Sequence, residues 1–404
     1  MAGGSETLKG LFKIPSMKRV YYGPDCVENL GVELDEHGAK RVFIVASNTL
    51  ATKTNVVDRV QGVLRGKAVG VFHHVSQHVH RESVLEATEQ ARKAWADFLV
   101  SVGGGSPIDC AKSVALCLAE GVTDIDQIDA YSLRFEYPDK VEFPAQEHPE
   151  KTVKHITLST TLSAGEFTDI AGITDSQRKV KELFIYPPLM PVAAFLDPTL
   201  AVHTPGWLWA ATGMRAVDHC VEAYVSQAHM PLVDALAKEA LTVLVRDLPG
   251  SAQNPEDLAG RGRCQVACWM SLFGLLNVQV GLSHGIGHQL GARCDVPHGV
   301  TSCIMLPHVM EFNLPVVKDR QATLAEAFGI DTRGMSVDEG AQEFIAALRG
   351  FVKGLGVPTR LSEAGVTKED FPGIVEDALG DLVVATNPRP VRKEDVFALL
   401  ERAY

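Results

Sequence analysis

Basic residues are in deficit: 38 Lys and Arg stand against 50 Asp and Glu, a net charge of −12. That balance excludes the basic face that nucleic acid or an anionic membrane surface calls for. Long apolar runs are also missing, since none approaches the roughly 20 residues needed to span a bilayer. The first residues lack the basic-then-apolar layout of a secretory leader, so a cytoplasmic location is expected. Paired cysteines are absent. The eight cysteines, at 26, 110, 117, 220, 264, 268, 294 and 303, include no CxxC and read as buried small hydrophobes, not as a disulfide framework. No internal repeat or low-complexity tract stands out. What is present is the composition of a globular protein, 46% apolar and 22% charged, over 404 residues that suffice for two domains.

The first half alternates compact apolar runs with amphipathic segments. Runs at 41–47, 68–72 and 98–103 predict strands, and 56–64 and 84–95 predict helices between them. This alternation implies a parallel sheet covered by helices. After Asp197-Pro198 the texture changes to long helical patterns at 207–226, 231–245, 263–276 and 337–355. The expectation is an α/β dinucleotide-binding domain over residues 1–198 and an all-helical domain over 199–404. A polar stretch from Tyr137 to Lys154, with three prolines, reads as a surface insertion.

Three motifs carry chemistry. Gly103-Gly104-Gly105-Ser106-Pro107 follows a predicted strand and opens a helix, with Ser106 expected as N-cap, Pro107 in the first helical position and Asp109 in the first turn. Glycines there let backbone N–H groups approach a phosphate at the helix N-terminus. A hydroxyl-rich segment, Thr160-Thr161-Leu162-Ser163, comes next. The turn Ala46-Ser47-Asn48-Thr49 has no acidic residue to repel a 2′-phosphate, so either NADH or NADPH is accommodated. Four histidines form the third group. His284 and His288 are one helical turn apart, His298 follows after nine residues, and His219 shares a helix face with Arg215.

These strings resemble the iron-containing (group III) alcohol dehydrogenases. The glycine loop is similar to their GGGSxxDxAK signature, the hydroxyl segment to PTTxGTGSE, and the histidines to H-x-x-x-H-(x)9-H-G. The 213–224 helix is similar to GMDAxxHxxEAY, except that Arg215 stands where that pattern has aspartate. The resemblance implies a dehydroquinate-synthase-like fold, a dimer, and a cleft in which Ser47, Gly104, Gly105, Ser106, Asp109, Thr160, Thr161 and Ser163 hold NAD(P)H. It implies that His219, His284 and His298 ligate a divalent metal, iron or zinc, if one is retained, and that His288 lies beside the nicotinamide. The missing aspartate is shared with the maleylacetate reductases, a branch that Val75-Ser76-Gln77-His78-Val79 also resembles.

The expected activity is interconversion of a carbonyl and an alcohol by hydride transfer, on a small molecule that can carry a carboxylate. Arg215, His219, His284 and His288 are the candidate catalytic residues. In a metal-free site Arg215 would stabilise charge on the substrate oxygen and His219 or His284 could act as general acid. A metal-dependent dehydrogenase of simple alcohols, a cyclase of the lyase type and a non-catalytic nucleotide binder are the alternatives. The other histidine pairs, His73-His74 and His78-x-His80, are expected on a surface or cofactor-side loop.

Overall fold

The computed structural model describes residues 10–136, 140–142, 152–178, 180–273 and 277–404. Most of the expected 137–154 insertion lies outside them. Strands β1 (Arg19–Tyr22), β2 (Val42–Ala46), β3 (Ala68–Phe72), β4 (Phe98–Gly103), β5 (Arg134–Glu136), β6 (Lys140–Glu142), β7 (Lys154–Ser159), β8 (Ile170–Asp175), β9 (Val180–Ile185) and β10 (Ala193–Leu196) occupy the first half. Six of them form one parallel sheet in the order β1-β10-β7-β4-β2-β3. Residues of β2 and β4 are buried on both faces, which is why they read as unbroken apolar runs. Two antiparallel hairpins, β5–β6 and β8–β9, stand apart from it.

Helices α1 (Leu30–Glu36), α2 (Asn48–Lys53), α3 (Val56–Val63), α4 (Arg81–Lys93) and α5 (Gly105–Ala119) cover the sheet. The second half is helical: α6 (Pro198–Ala201), α7 (Gly206–Val225), α8 (Pro231–Gln253), α9 (Leu258–Leu272), α10 (Leu282–Cys294), α11 (His298–Leu324), α12 (Val337–Gly354), α13 (Phe371–Ala378), α14 (Leu382–Ala385) and α15 (Lys393–Ala403). The architecture is therefore a parallel-sheet domain followed by a helical one. All eight cysteines are free and all but Cys294 are buried.

The segment His298–Phe328 is long and apolar enough to cross a membrane, which no run in the unfolded sequence suggested. Its burial explains the composition: most of it lies inside the helical domain, where Val300, Ile304, Met305, Val309 and Met310 join the core. The same core takes in Leu162, Phe167, Ala194 and Leu196 from the sheet domain, so the two halves share one apolar seam. Along it Gln265 donates to the Ser159 carbonyl at 3.2 Å and Thr204 to the Thr160 carbonyl at 2.7 Å.

Candidate active site

The sheet changes direction between β4 and β2, and ligands of open α/β sheets bind outside the strand carboxyl ends at such a point. Here the Ser47 N–H donates to the Val102 carbonyl at 3.0 Å, bringing the turn after β2 beside the glycine loop after β4. Gly103 has φ +143°, open to glycine alone, and a Cβ there would press on Pro107 and Ser47. A Cβ on Gly104 would stand 3.0 Å from the Thr161 side chain, so the second motif residue is glycine for space. The helix starts earlier than expected. Gly104, not Ser106, is the N-cap of α5, with no side-chain cap, and Ser106 and Pro107 fall inside its first turn. Without a capping side chain, the first N–H groups of α5 are left for a ligand.

A cleft of about 530 Å³ opens there, and Ser47, Gly104, Gly105, Ser106, Asp109, Thr160, Thr161 and Ser163 all line it. Asp109 is turned toward the protein: its carboxylate accepts the Gly172 N–H at 3.2 Å, and burial pushes its pKa up. From the helical domain the walls are His203, Trp207, Leu208, Thr212 and His298.

Behind the inner end of the cleft, α7, α10 and the start of α11 bring the expected polar residues together. Arg215, His219 and His284 are buried, and the His219 and His284 rings lie 5.1 Å apart. His284 donates from Nδ1 to Glu222 at 2.7 Å, and the Glu222 carboxylate also accepts the N–H groups of Gly281 (2.8 Å) and Ser283 (2.9 Å). Burial and the Arg215 charge hold His284 well below the usual imidazole range, so it is neutral and its Nε2 is a bare acceptor. Burial, His284 and Arg215 depress His219 likewise. Both rings are thus held in the neutral form by their surroundings. His288 differs: its Nδ1 lies 2.6 Å from Asp381, so its Nε2 points away from the carboxylate. The His288 and His298 rings are 5.3 Å apart.

Arg215 does not turn away to an acid. Its guanidinium donates to Ser302 at 3.3 Å and forms no ion pair among the described residues. Asp218, three residues on, accepts from Ser283 at 2.8 Å and has one oxygen 3.6 Å from His284 Nδ1. Several residues escaped the sequence reading. Asp381 lies 93 positions from His288 with no motif around it. Lys181 reaches the cleft from β9 and meets His298 Nε2 at 3.1 Å. His78, expected on a surface or cofactor-side loop, is a cleft-wall residue whose ring is 6.3 Å from that of His298. It and Val79 both have positive φ, a strained pair for non-glycine residues. That strain leaves no trace in composition.

Two family profiles match nearly the whole chain: iron-containing alcohol dehydrogenase over residues 17–198, and the C-terminal part of the Fe-containing alcohol dehydrogenase family over 209–404. The chain belongs to the iron-containing alcohol dehydrogenase family. It is 33% identical to the NAD-dependent methanol dehydrogenase of Bacillus methanolicus over 386 residues, covering 94% of this chain and 97% of that one. The crystal structure of a 1,3-propanediol oxidoreductase superposes with a TM-score of 0.88 at 29% identity, covering 98% of this chain and all of the other. A maleylacetate reductase from a Rhizobium species gives 0.76 at 26%, over 98% and 99% of the two chains. This member is therefore an oxidoreductase of the alcohol and aldehyde class, on the family's dehydroquinate-synthase-like fold.

The iron in the family's name does not suit the donors of this member. Arg215 is a fixed cation among the three histidines, and Lys181 caps His298 Nε2 with an ammonium. A dication about 4 Å from one unit positive charge is repelled by roughly 8 kcal/mol at an effective dielectric near 20. Asp218, Glu222 and His284 do gather within 4.8 Å of one another, but the Glu222 oxygens are already taken by two N–H groups and His284 Nδ1. That cluster is a hydrogen-bonded support for His284.

Proposed function

We propose that this protein reduces a ketone or oxo acid with NAD(P)H, with Arg215 standing where its relatives' motif places a metal-binding aspartate. The observation that carries this reading is a buried guanidinium, without an ion pair, set among His219, His284 and His298. The cofactor phosphates would lie on the N-terminus of α5, against Gly104, Gly105, Ser106, Thr161 and Ser163. The absence of an acid at Ser47 leaves room for a 2′-phosphate. The nicotinamide, when bound, would supply the hydride to the carbonyl carbon, and Arg215 would meet the negative charge that develops on the oxygen. The oxygen then takes a proton to give the alcohol. His288 suits that transfer, since Asp381 fixes Nδ1 and leaves Nε2 for the substrate side.

A second reading, a metal-dependent dehydrogenase, draws on the buried and unpartnered His219 Nδ1 and His284 Nε2. One assay separates them: oxidation of NADPH and NADH with a panel of ketones, aldehydes and oxo acids, with and without excess EDTA. Turnover that EDTA leaves unchanged is the expected outcome. Activity that EDTA abolishes and Fe²⁺ or Zn²⁺ restores would establish the metal-dependent reading instead.

A further inference from the structure

Two buried side-chain oxygens at the seam between the domains, Glu166 Oε2 and Gln265 Oε1, have no donor among the described residues. Glu166 lies in the short turn Gly165–Phe167, which closes the hydroxyl segment 159–163, and only 1% of it is exposed. Gln265 of α9 is equally buried, and its Nε2 donates to the Ser159 carbonyl at 3.2 Å. Flipping that amide would set two oxygens against each other, so Oε1 stays an acceptor in want of a donor. Both residues meet Ser159, whose hydroxyl is within hydrogen-bonding reach of the Glu166 carboxylate. The nearest cation is already spent: Lys112 Nζ donates to the Gly165 and Ile170 carbonyls and to the Thr168 hydroxyl. The titratable groups facing Glu166 are Lys112 and Asp109 of α5 and Cys268 of α9, and burial, the largest influence, pushes the acid up to about 7. A neutral carboxyl carries one proton, and that proton can satisfy both orphaned oxygens at once.

One wall of the cleft depends on the same residues. Ser159 pairs with Gly103 across β7 and β4, and the Thr160 N–H donates to the Gly103 carbonyl at 2.9 Å. Thr161 and Ser163 then stand against Gly104 and Gly105. We propose that Glu166 is a positioning residue for that wall: neutral, it donates to Gln265 Oε1 and holds the segment 159–163 between α9 and the glycine loop, and on ionising it releases the segment and loosens the nucleotide. This rests on the NAD(P)H-dependent reductase reading above. The sign follows from linkage. Where the bound state keeps the proton, affinity is full at low pH and falls as pH rises through the folded value.

The test uses the full-length protein and its Glu166→Gln and Glu166→Ala variants. NADH and NADPH affinities are measured by fluorescence from about pH 5.5 to 9, with Tm followed alongside. Comparing wild type with variant at each pH cancels the titration of the 2′-phosphate and of the histidines. Relative to Glu166→Gln, whose amide donates at every pH, wild-type affinity should fall by about 3- to 10-fold, the worth of one hydrogen bond. The fall should set in at about pH 7. Glu166→Ala should bind more weakly than Glu166→Gln by the same factor throughout, and where Tm shows that variant unfolded the Gln comparison decides alone. Parallel profiles for wild type and Glu166→Gln would overturn the proposal, and so would a Gln variant that binds as weakly as the Ala variant. Either result leaves the reductase reading in place. Wild-type protein that binds neither nucleotide at any pH would remove both.

Discussion

His288 and Asp381 form a histidine–carboxylate pair in the site whose ring keeps 13% exposure. A carboxylate 2.6 Å from Nδ1 fixes the tautomer and ring orientation, so Nε2 is held in a single geometry. His288→Ala should therefore reduce turnover by about 10²-fold, the usual scale for a proton-transfer group, with Tm and NADPH affinity unchanged. Undiminished turnover in that variant would take His288 out of the chemistry. His284 has a carboxylate partner as well, but Glu222 is itself saturated by backbone N–H groups and the ring is buried. Two histidines of the same motif, one turn apart, thus differ in surroundings because of what stands behind each ring. Spacing revealed that both belong to the site, and only the neighbours show how they differ.

At the scale of elements, the inner compartment depends on how closely α11 approaches α7. A Cβ at Gly299 would overlap the Ala211 carbonyl and crowd the Thr212 nitrogen, so the first turn of α11 can seat His298 only with glycine next to it. Gly299→Ala should cost about 1–3 kcal/mol, as over-packing of a tight contact does. A Tm measurement beside a turnover assay checks this: both should fall, and an unchanged Tm would show that the helices have slack. The helix patterns were legible in outline, with 207–226 and 337–355 each matched to within a residue or two. The 231–245 pattern was read short, because α8 continues through Pro249 to Gln253. Leu248 and Ser251 keep that last part helical by burial, with Ser251 accepting the Trp209 indole N–H at 3.0 Å. Tertiary contact here outweighs the local preference against proline.

At the scale of the whole molecule, the seam between sheet and helices holds an unsatisfied acid. Glu166 is fully buried near Lys112 and Cys268, with Oε2 lacking a partner, and burial pushes its pKa up to about 7. Because the folded value lies above the ordinary 4.5, the unfolded chain releases this proton first as pH rises. Stability should therefore decline between about pH 4.5 and 7 on this account and level off above. Glu166→Gln removes the ionisation, so its Tm gain over the wild type should be larger at pH 8 than at pH 5. A gain independent of pH would show that Glu166 does not ionise across the seam. The two halves meet through this acid, through Phe167 stacked on Trp269 at 6.0 Å, and through the Leu162 N–H on Thr212 at 3.1 Å.

The sequence alone determined what short-range pattern can encode: apolar runs that need a parallel sheet, a glycine loop at a helix N-terminus, and three histidines at the family's spacing with an arginine in place of an acid. Each depends on neighbours a few residues away. The tertiary structure decided everything that joins distant positions. It placed Asp381 behind His288, left Arg215 without an ion pair, and let Lys181 pass over Gly172 to reach His298. The physical reason is that the charge state and direction of a buried group depend on its desolvation and on which partners fill its hydrogen bonds, and packing alone supplies those.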